Sequence, residues 1–132
     1  MRAFREYDIR GIVGEDLDES FYLGLGRALG TYLARHGDES VVVGRDLRPS
    51  SDAYARALRR GLVETGRRVL DVGEVTTPMT VFALNYLGAH GSAAVTASHN
   101  PAEYNGLKVR RRAPIHGREL QRLRELMERG DF

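Results

Sequence analysis

Ala93-Ala94-Val95-Thr96-Ala97-Ser98-His99-Asn100-Pro101 holds the transition around which the rest of the chain is arranged. Its first part is an apolar run of small and β-branched residues, the signature of a buried strand approaching its end. The second part abandons that pattern. Ser98 leads into His99-Asn100-Pro101, where proline removes a backbone donor and stops regular structure from continuing. A serine is thereby expected at the carboxyl end of a strand, the place where ligands bind in an open α/β sheet. Further on, Asn105-Gly106-Leu107-Lys108-Val109 reads as a second extended segment, so a hydroxyl and an ammonium group are expected to face each other across one loop.

Working backwards, Gly91-Ser92-Ala93-Ala94 continues the strand with side chains small enough for helices to approach closely. Thr77-Pro78 starts a helix, with the cap just before a proline at the first helical position. Val81, Phe82, Leu84, Tyr86 and Leu87 then cover much of its circumference, which predicts a helix buried between layers. Arg68–Gly73 is the preceding strand. Val41-Val42-Val43, β-branched without alternation, reads as a central parallel strand. It ends in Gly44-Arg45-Asp46-Leu47-Arg48, a loop on the same sheet edge as Ser98, where Arg45, Asp46 and Arg48 either support the site or form an internal ion pair. Ser50 or Ser51 caps the next helix, which carries Tyr54, Leu58, Leu62 and Thr65 and stops at Gly66.

Asp18 caps a helix over 19–36, with Phe21, Leu25, Ala28, Leu29, Tyr32 and Leu33 at helical spacing. Three glycines inside it, Gly24, Gly26 and Gly30, each cost about 1 kcal/mol relative to alanine, which predicts close packing against a neighbour. The segment Phe4–Gly14 reads as a short hairpin or a strand with a tight loop, in which Arg10-Gly11 could aim a guanidinium at an anion. Downstream of the Ser98 loop come a short strand around Leu107–Val109 and a helix from Gly117 to Gly130 carrying Leu120, Leu123, Leu126 and Met127. The order strand, helix, strand, helix, strand, helix, strand, strand, helix indicates one three-layer α/β/α domain over residues 1–132 with a mixed, mostly parallel sheet.

Composition narrows the function classes. The apolar fraction of 42% and charged fraction of 29% are those of a globular protein, and no apolar run is long enough to cross a bilayer. No membrane partner is expected. The absence of cysteine removes disulfides and thiolate metal sites and fits a cytoplasmic location. A net charge of +2 gives no reason to expect nucleic acid, and Arg110-Arg111-Arg112 reads as a solvated strand end. Of the 20 basic residues, all are arginine except Lys108. Arginine stays protonated, whereas lysine can be tuned to give and take a proton, which draws attention to that one position.

The serine does not belong to the commoner reactive types. Ala97-Ser98-His99-Asn100 lacks the glycines of a Gly-x-Ser-x-Gly elbow, and no Walker-type loop is present. His99 is adjacent in sequence and poorly placed to act as a base for Ser98, because consecutive extended side chains diverge. His36, His90 and His116 show no ligand spacing.

Five segments taken together resemble one family. Tyr7-Asp8-Ile9-Arg10-Gly11, Val43-Gly44-Arg45-Asp46, Thr76-Thr77-Pro78, Thr96–Pro101 and Tyr104-Asn105-Gly106-Leu107-Lys108 are similar, in order and spacing, to the first domain of the α-D-phosphohexomutases. The opening motif and Thr96 are most similar to the phosphomannomutase/phosphoglucomutase branch. The resemblance implies that Ser98 carries a phosphoryl group that is exchanged with glucose or mannose 1- and 6-phosphates through a bisphosphate intermediate. It places Lys108 as a candidate for proton transfer, Arg10 for charge stabilisation, and Tyr7, His99 and Asn100 at further positions around the substrate. It also implies Mg2+, held on this domain only through the phosphoryl group of Ser98.

The chain departs from the family in extent. Family members have four domains, with an Asp-rich magnesium loop in the second, and no Asp-x-Asp-x-Asp cluster occurs here. Asp16 and Asp18 are the nearest approach and are expected to serve helix capping. The chain is therefore expected to be an excised or natural fragment that needs the remaining domains as partners and has no turnover alone. The alternative is a non-catalytic module that uses the same loop and Arg10 to bind phosphorylated ligands or a protein.

Overall fold

Val41, Val42 and Val43 are fully buried in the middle of β2 (Ser40–Arg45) because both faces of that strand are covered. The computed structural model describes residues 1–132. Around β2 it places β1 (Ile9–Ile12), α1 (Glu19–Arg35), α2 (Ser51–Glu64), β3 (Arg68–Glu74), α3 (Thr77–Tyr86), β4 (Gly91–Val95), β5 (Tyr104–Arg110) and α4 (Gly117–Arg129). The element order is the one expected from the pattern.

The strands lie in the order β1-β5-β4-β2-β3. β2 pairs in parallel with both β3 and β4, while β5 runs antiparallel to β4 and to β1. Only β5 is reversed, so the sheet is mixed and mostly parallel in strand direction. The reversal matters for the site, because the Ser98 loop joins two neighbouring antiparallel strands and stays at one end of the sheet.

One face carries the main core. Val41, Val43, Ala93, Val95, Leu107 and Val109 pack there with Leu25, Leu29 and Leu33 of α1, Leu58 and Leu62 of α2, and Leu120 and Leu123 of α4. α1 starts where expected, with the Asp18 carboxylate accepting from Phe21 N at 2.7 Å. The glycines within α1 and α2 also have their expected reason. A Cβ on Gly26 would lie 2.3 Å from the Leu58 carbonyl oxygen, and one on Gly61 would lie 2.4 Å from that of Leu23, so the two helices cross backbone to backbone.

The other face carries α3 alone, packed over β2 and β4. Thr76 caps it, accepting from Met79 N at 3.3 Å, but the expectation of a helix buried between layers fails. Only Thr80 and Leu84 are buried, and Met79, Phe82 and Tyr86 are exposed. The apolar circumference of α3 reflects one side turned to the sheet and one side that nothing in residues 1–132 covers.

Three further expectations need correction. Phe4–Gly14 is no hairpin, because β1 pairs with β5 from far along the chain. Ser50 makes no cap bond to α2; its hydroxyl and that of Ser51 accept instead from the buried Asn105 Nδ2 at 2.8 and 3.0 Å, a partner sequence distance concealed. Asp16 caps no helix either: its carboxylate accepts from Ile12 N at 2.9 Å and pairs with Arg2, closing the turn after β1.

Candidate functional site

The β4–β5 connection holds the only non-glycine residue with a positive φ, Ser98 at 57°. Left-handed backbone is costly for a residue with a side chain, so the surroundings must impose it. Thr96 Oγ1 accepts from Ser98 N at 3.0 Å, and Asn100 donates from Nδ2 to the Ala97 carbonyl at 2.7 Å.

The larger restraint is Arg48. Its Nη2 donates to the carbonyls of Ser98 (2.9 Å) and Asn100 (2.7 Å), and its Nη1 to those of Pro101 (2.6 Å) and Tyr104 (3.2 Å). A planar guanidinium with donors on two edges suits such a ring of carbonyls as an ammonium would not. Asp46 fixes Arg48 in turn, through Nε to Oδ2 at 3.0 Å and the Arg48 backbone N to Oδ1 at 3.1 Å, while Ser51 donates to Oδ1 at 2.5 Å. Burial pushes the Asp46 carboxyl up, but hydrogen bonds from the Ser51 and Thr96 hydroxyls and the Arg48 backbone, with the Arg48 charge, outweigh it and hold the group below the ordinary range.

Residues of the other two strands share the sheet face below this loop. Arg10 pairs with Gly106, whose carbonyl accepts from Thr96 N at 3.3 Å, so Arg10, Gly106 and Thr96 form one row across β1, β5 and the end of β4. With no side chain on Gly106, the space between Arg10 and the loop stays open. Gly106 also lets β1 approach, since a Cβ there would lie 2.0 Å from the Ile9 carbonyl oxygen. Tyr22 secures the row from below by donating to the Gly106 carbonyl at 2.7 Å.

Asp8 is buried between the two cations of this face. Its Oδ1 accepts from Arg10 Nε at 3.0 Å and its Oδ2 from Lys108 Nζ at 3.1 Å. The two Nη groups of Arg10 make no hydrogen bond within the chain, which leaves a two-donor edge suited to phosphoryl oxygens. Lys108 lies opposite Ala94 and borders a recess of ≈ 190 Å³ with Tyr7, Thr80 and Arg110.

A second cleft, ≈ 510 Å³, lies over the loop, between Ser98 and His99 on one side and Thr76, Thr77 and Pro78 on the other, with Arg45 and Asp46 at its base. The amino terminus of α3 borders it, where unsatisfied backbone donors and the helix dipole favour an anion. A recess of ≈ 550 Å³ between α1 and α2 contains none of these residues.

The structure therefore gathers Ser98, His99 and Asn100 on one loop, and Arg10 and Lys108 on one carboxylate. Ser98 and His99 are exposed. Asn100 is turned inward to brace the loop. Tyr7 is 73% exposed and lies against His116, with ring centroids 5.7 Å apart. The hydroxyl of Ser98 and the ammonium of Lys108 are not hydrogen-bonded to each other; Lys108 is bound to Asp8. Sequence reading missed Asp8, although it stands inside the Tyr7–Gly11 motif two positions before Arg10. For Arg48 it left a supporting role and an internal ion pair open, and the structure shows both.

Comparison with known proteins identifies the surroundings of such a loop. The family described as phosphoglucomutase/phosphomannomutase, alpha/beta/alpha domain I, matches residues 1–132. The chain is 43% identical to a phosphomannomutase of Vibrio cholerae serotype O1, over 97% of this chain and 29% of that protein. It is 46% identical to a phosphoglucomutase/phosphomannomutase of Thermococcus kodakarensis, over 82% of this chain and 24% of that one. A crystal structure of a phosphoglucomutase/phosphomannomutase family protein from Burkholderia thailandensis superposes with a TM-score of 0.93 at 39% identity, covering 98% of this chain and 30% of that one. The chain thus spans under a third of the length of these relatives.

Proposed function

The chain belongs to the phosphoglucomutase/phosphomannomutase family as its alpha/beta/alpha domain I, and from that premise we propose that Ser98 carries the phosphoryl group of a hexose phosphate mutase. The observation that supports this most directly is the Ser98 backbone. A residue held at a φ of 57° by Arg48, exposed at the end of a buried strand, with a hydroxyl that makes no hydrogen bond inside the chain, is displayed for reaction rather than for packing.

In this reading Ser98 Oγ bears the phosphoryl group and glucose or mannose 1- or 6-phosphate is the substrate. The bond from Ser98 Oγ to phosphorus breaks as one forms from a sugar hydroxyl oxygen; the sugar hydroxyl loses a proton and the serine oxygen gains one. Lys108 is the group that takes and gives that proton. The free Nη edge of Arg10 meets the phosphoryl oxygens, whose spreading charge is the main thing such a site must stabilise. The resulting hexose bisphosphate turns over, and its other phosphoryl group returns to Ser98. Tyr7, His99 and Asn100 border the sugar phosphate.

Magnesium, which the family resemblance implies, finds no ligand set among these side chains. No three acidic or histidine residues converge, and Asp46, which lines the Ser98 cleft, already accepts from Arg48 and Ser51. Its place in this reading is on the phosphoryl group of Ser98, with ligands outside residues 1–132. No helix is long and apolar enough to cross a membrane, and a cytoplasmic location accords with the metabolites proposed.

The test is intact-protein mass spectrometry after incubation with glucose 1,6-bisphosphate and magnesium chloride, followed by phosphopeptide mapping. One phosphoryl group on Ser98, absent from Ser98→Ala, is the expected result. Label on Ser92, Thr96 or Tyr104 instead would sink the assignment. A coupled assay for glucose 6-phosphate from glucose 1-phosphate should show no turnover by the chain alone and turnover when the regions spanned only by its relatives are added in trans. Retained phosphate binding without any labelling in either setting would favour the non-catalytic module.

A further inference from the structure

We infer that Asp8 is a positioning residue for transfer at Ser98, one that orients Arg10 and restrains Lys108; this rests on the reading of Ser98 as the phosphoryl carrier. The carboxylate is 6% exposed, and its two oxygens are divided between the two cations, Oδ1 to Arg10 Nε at 3.0 Å and Oδ2 to Lys108 Nζ at 3.1 Å. No other side chain or backbone group hydrogen-bonds to it. A buried carboxylate is costly unless paired, so the arrangement persists because both cations satisfy it.

The choice of nitrogen gives the pair its use. Engaging Arg10 through Nε fixes the plane of the guanidinium and turns the two Nη groups away from Asp8, where they are free to receive a pair of phosphoryl oxygens. Binding through an Nη edge would have consumed those donors. Asp8, Arg10 and Lys108 share the sheet face that leads through Gly106 and Thr96 to the Ser98 loop, so the orientation set at Asp8 is delivered toward the reacting end. Asp8 touches neither substrate nor phosphoryl group. It acts only through the two cations, and positioning of charge is what phosphoryl transfer depends on.

A structural carboxylate and a positioning one make opposite predictions for ligand binding. Asp8→Asn keeps the size but removes the charge, and one amide oxygen cannot accept from both cations while its NH2 faces one of them. Removing a negative charge beside an anion site holds or strengthens phosphate affinity through the local potential. Misplacing Arg10 and Lys108 lowers the rate of transfer. A merely structural loss would weaken binding, transfer and stability together.

The experiment compares the wild-type chain with Asp8→Asn and Asp8→Glu, in the presence of the regions spanned only by its relatives. Measured are the single-turnover rate of Ser98 phosphorylation by saturating glucose 1,6-bisphosphate, the affinity for inorganic phosphate, and the midpoint of urea unfolding. Because Lys108 is the only lysine, isotope labelling of lysine gives one NMR signal that reports the Asp8 pair whether or not Ser98 is phosphorylated. For Asp8→Asn the expected result is a rate lower by about 10-fold or more, the range seen when a group that orients a reacting one is lost, with phosphate affinity equal or higher and the Lys108 signal shifted. Asp8→Glu should recover part of the rate. In an Arg10→Ala background the same change should cost less, because one of the two groups Asp8 positions is gone. An unchanged rate, or rate and affinity falling in step with stability, overturns the proposal. Absence of Ser98 labelling in the wild-type chain is a separate outcome that overturns the phosphoryl-carrier reading and takes this role of Asp8 with it.

Discussion

The Ser98 carbonyl oxygen and Arg48 Nη2 are 2.9 Å apart, and this bond ties the one left-handed side-chain-bearing residue of the protein to the loop after its central strand. Arg48 gives its other donors to the carbonyls of Asn100, Pro101 and Tyr104, so a single side chain spans the turn from the serine to the start of β5. The geometry of the reactive loop is therefore set by a residue that precedes it by 50 positions.

Replacement of Ser98 should separate backbone strain from chemistry. Both Ser98→Ala and Ser98→Gly remove the hydroxyl and should abolish labelling by glucose 1,6-bisphosphate. Ser98→Gly should be the more stable of the two by about 1 kcal/mol, since left-handed backbone costs an L-residue roughly 1–2 kcal/mol and the extra freedom of unfolded glycine returns part of that. Urea unfolding midpoints check the difference, and alanine proving the more stable would show that the loop relaxes out of the left-handed region.

Arg48→Lys should lower stability by about 2 kcal/mol and release the loop, although the charge is conserved. A lysine cannot reach four carbonyls and Asp46 together, which leaves polar groups without partners. Amide hydrogen exchange at Ser98 and Asn100 should accelerate well beyond that of the β2 core. Equal exchange in the two proteins would assign the loop conformation to Thr96 and Asn100 instead.

Lys108→Arg should lower the rate of Ser98 phosphorylation by about two orders of magnitude or more, in the range for loss of a general acid–base group, while phosphate affinity is kept. A rate within twofold of wild type would make Lys108 an electrostatic residue only.

Acid should loosen the loop at a point Asp46 determines. Its folded-state pKa lies below the ordinary 3.8, so the unfolded chain binds the proton more readily and the stabilisation is complete above about 3.8. It is lost as the pH falls from there through the lower folded value. Asp46→Asn should therefore be less stable than wild type at neutral pH, with the gap closing only below about pH 3.8. Unfolding curves from pH 2 to 7 test this, and a gap independent of pH would mean that the loss at Asp46 is one of packing and not of charge.

Much of the fold was legible in local pattern. Element order, the bounds of α1 and the central place of Val41–Val43 follow from periodicity, capping and β-branching, all of which act over a few residues. The Ser98 position was equally legible, because an apolar run broken by His-Asn-Pro marks a strand end whatever the fold. α3 was misread because an apolar circumference does not reveal whether a second layer exists. Ser50 and Ser51 were misread because a serine before a helix looks like a cap whether its hydroxyl serves that helix or a distant Asn105.

Sequence by itself determined which groups are available: one serine at a strand end, one lysine among twenty basic residues, and an arginine before a glycine near the start. Only the tertiary structure decided their relations. Sequence spacing cannot express that β1 crosses the whole chain to pair with β5, yet that pairing puts Asp8 between Arg10 and Lys108. Nor can it express that Arg48 lies under Ser98, because hydrogen bonds depend on distances of about 3 Å and on direction, and these are fixed only once the strands have packed.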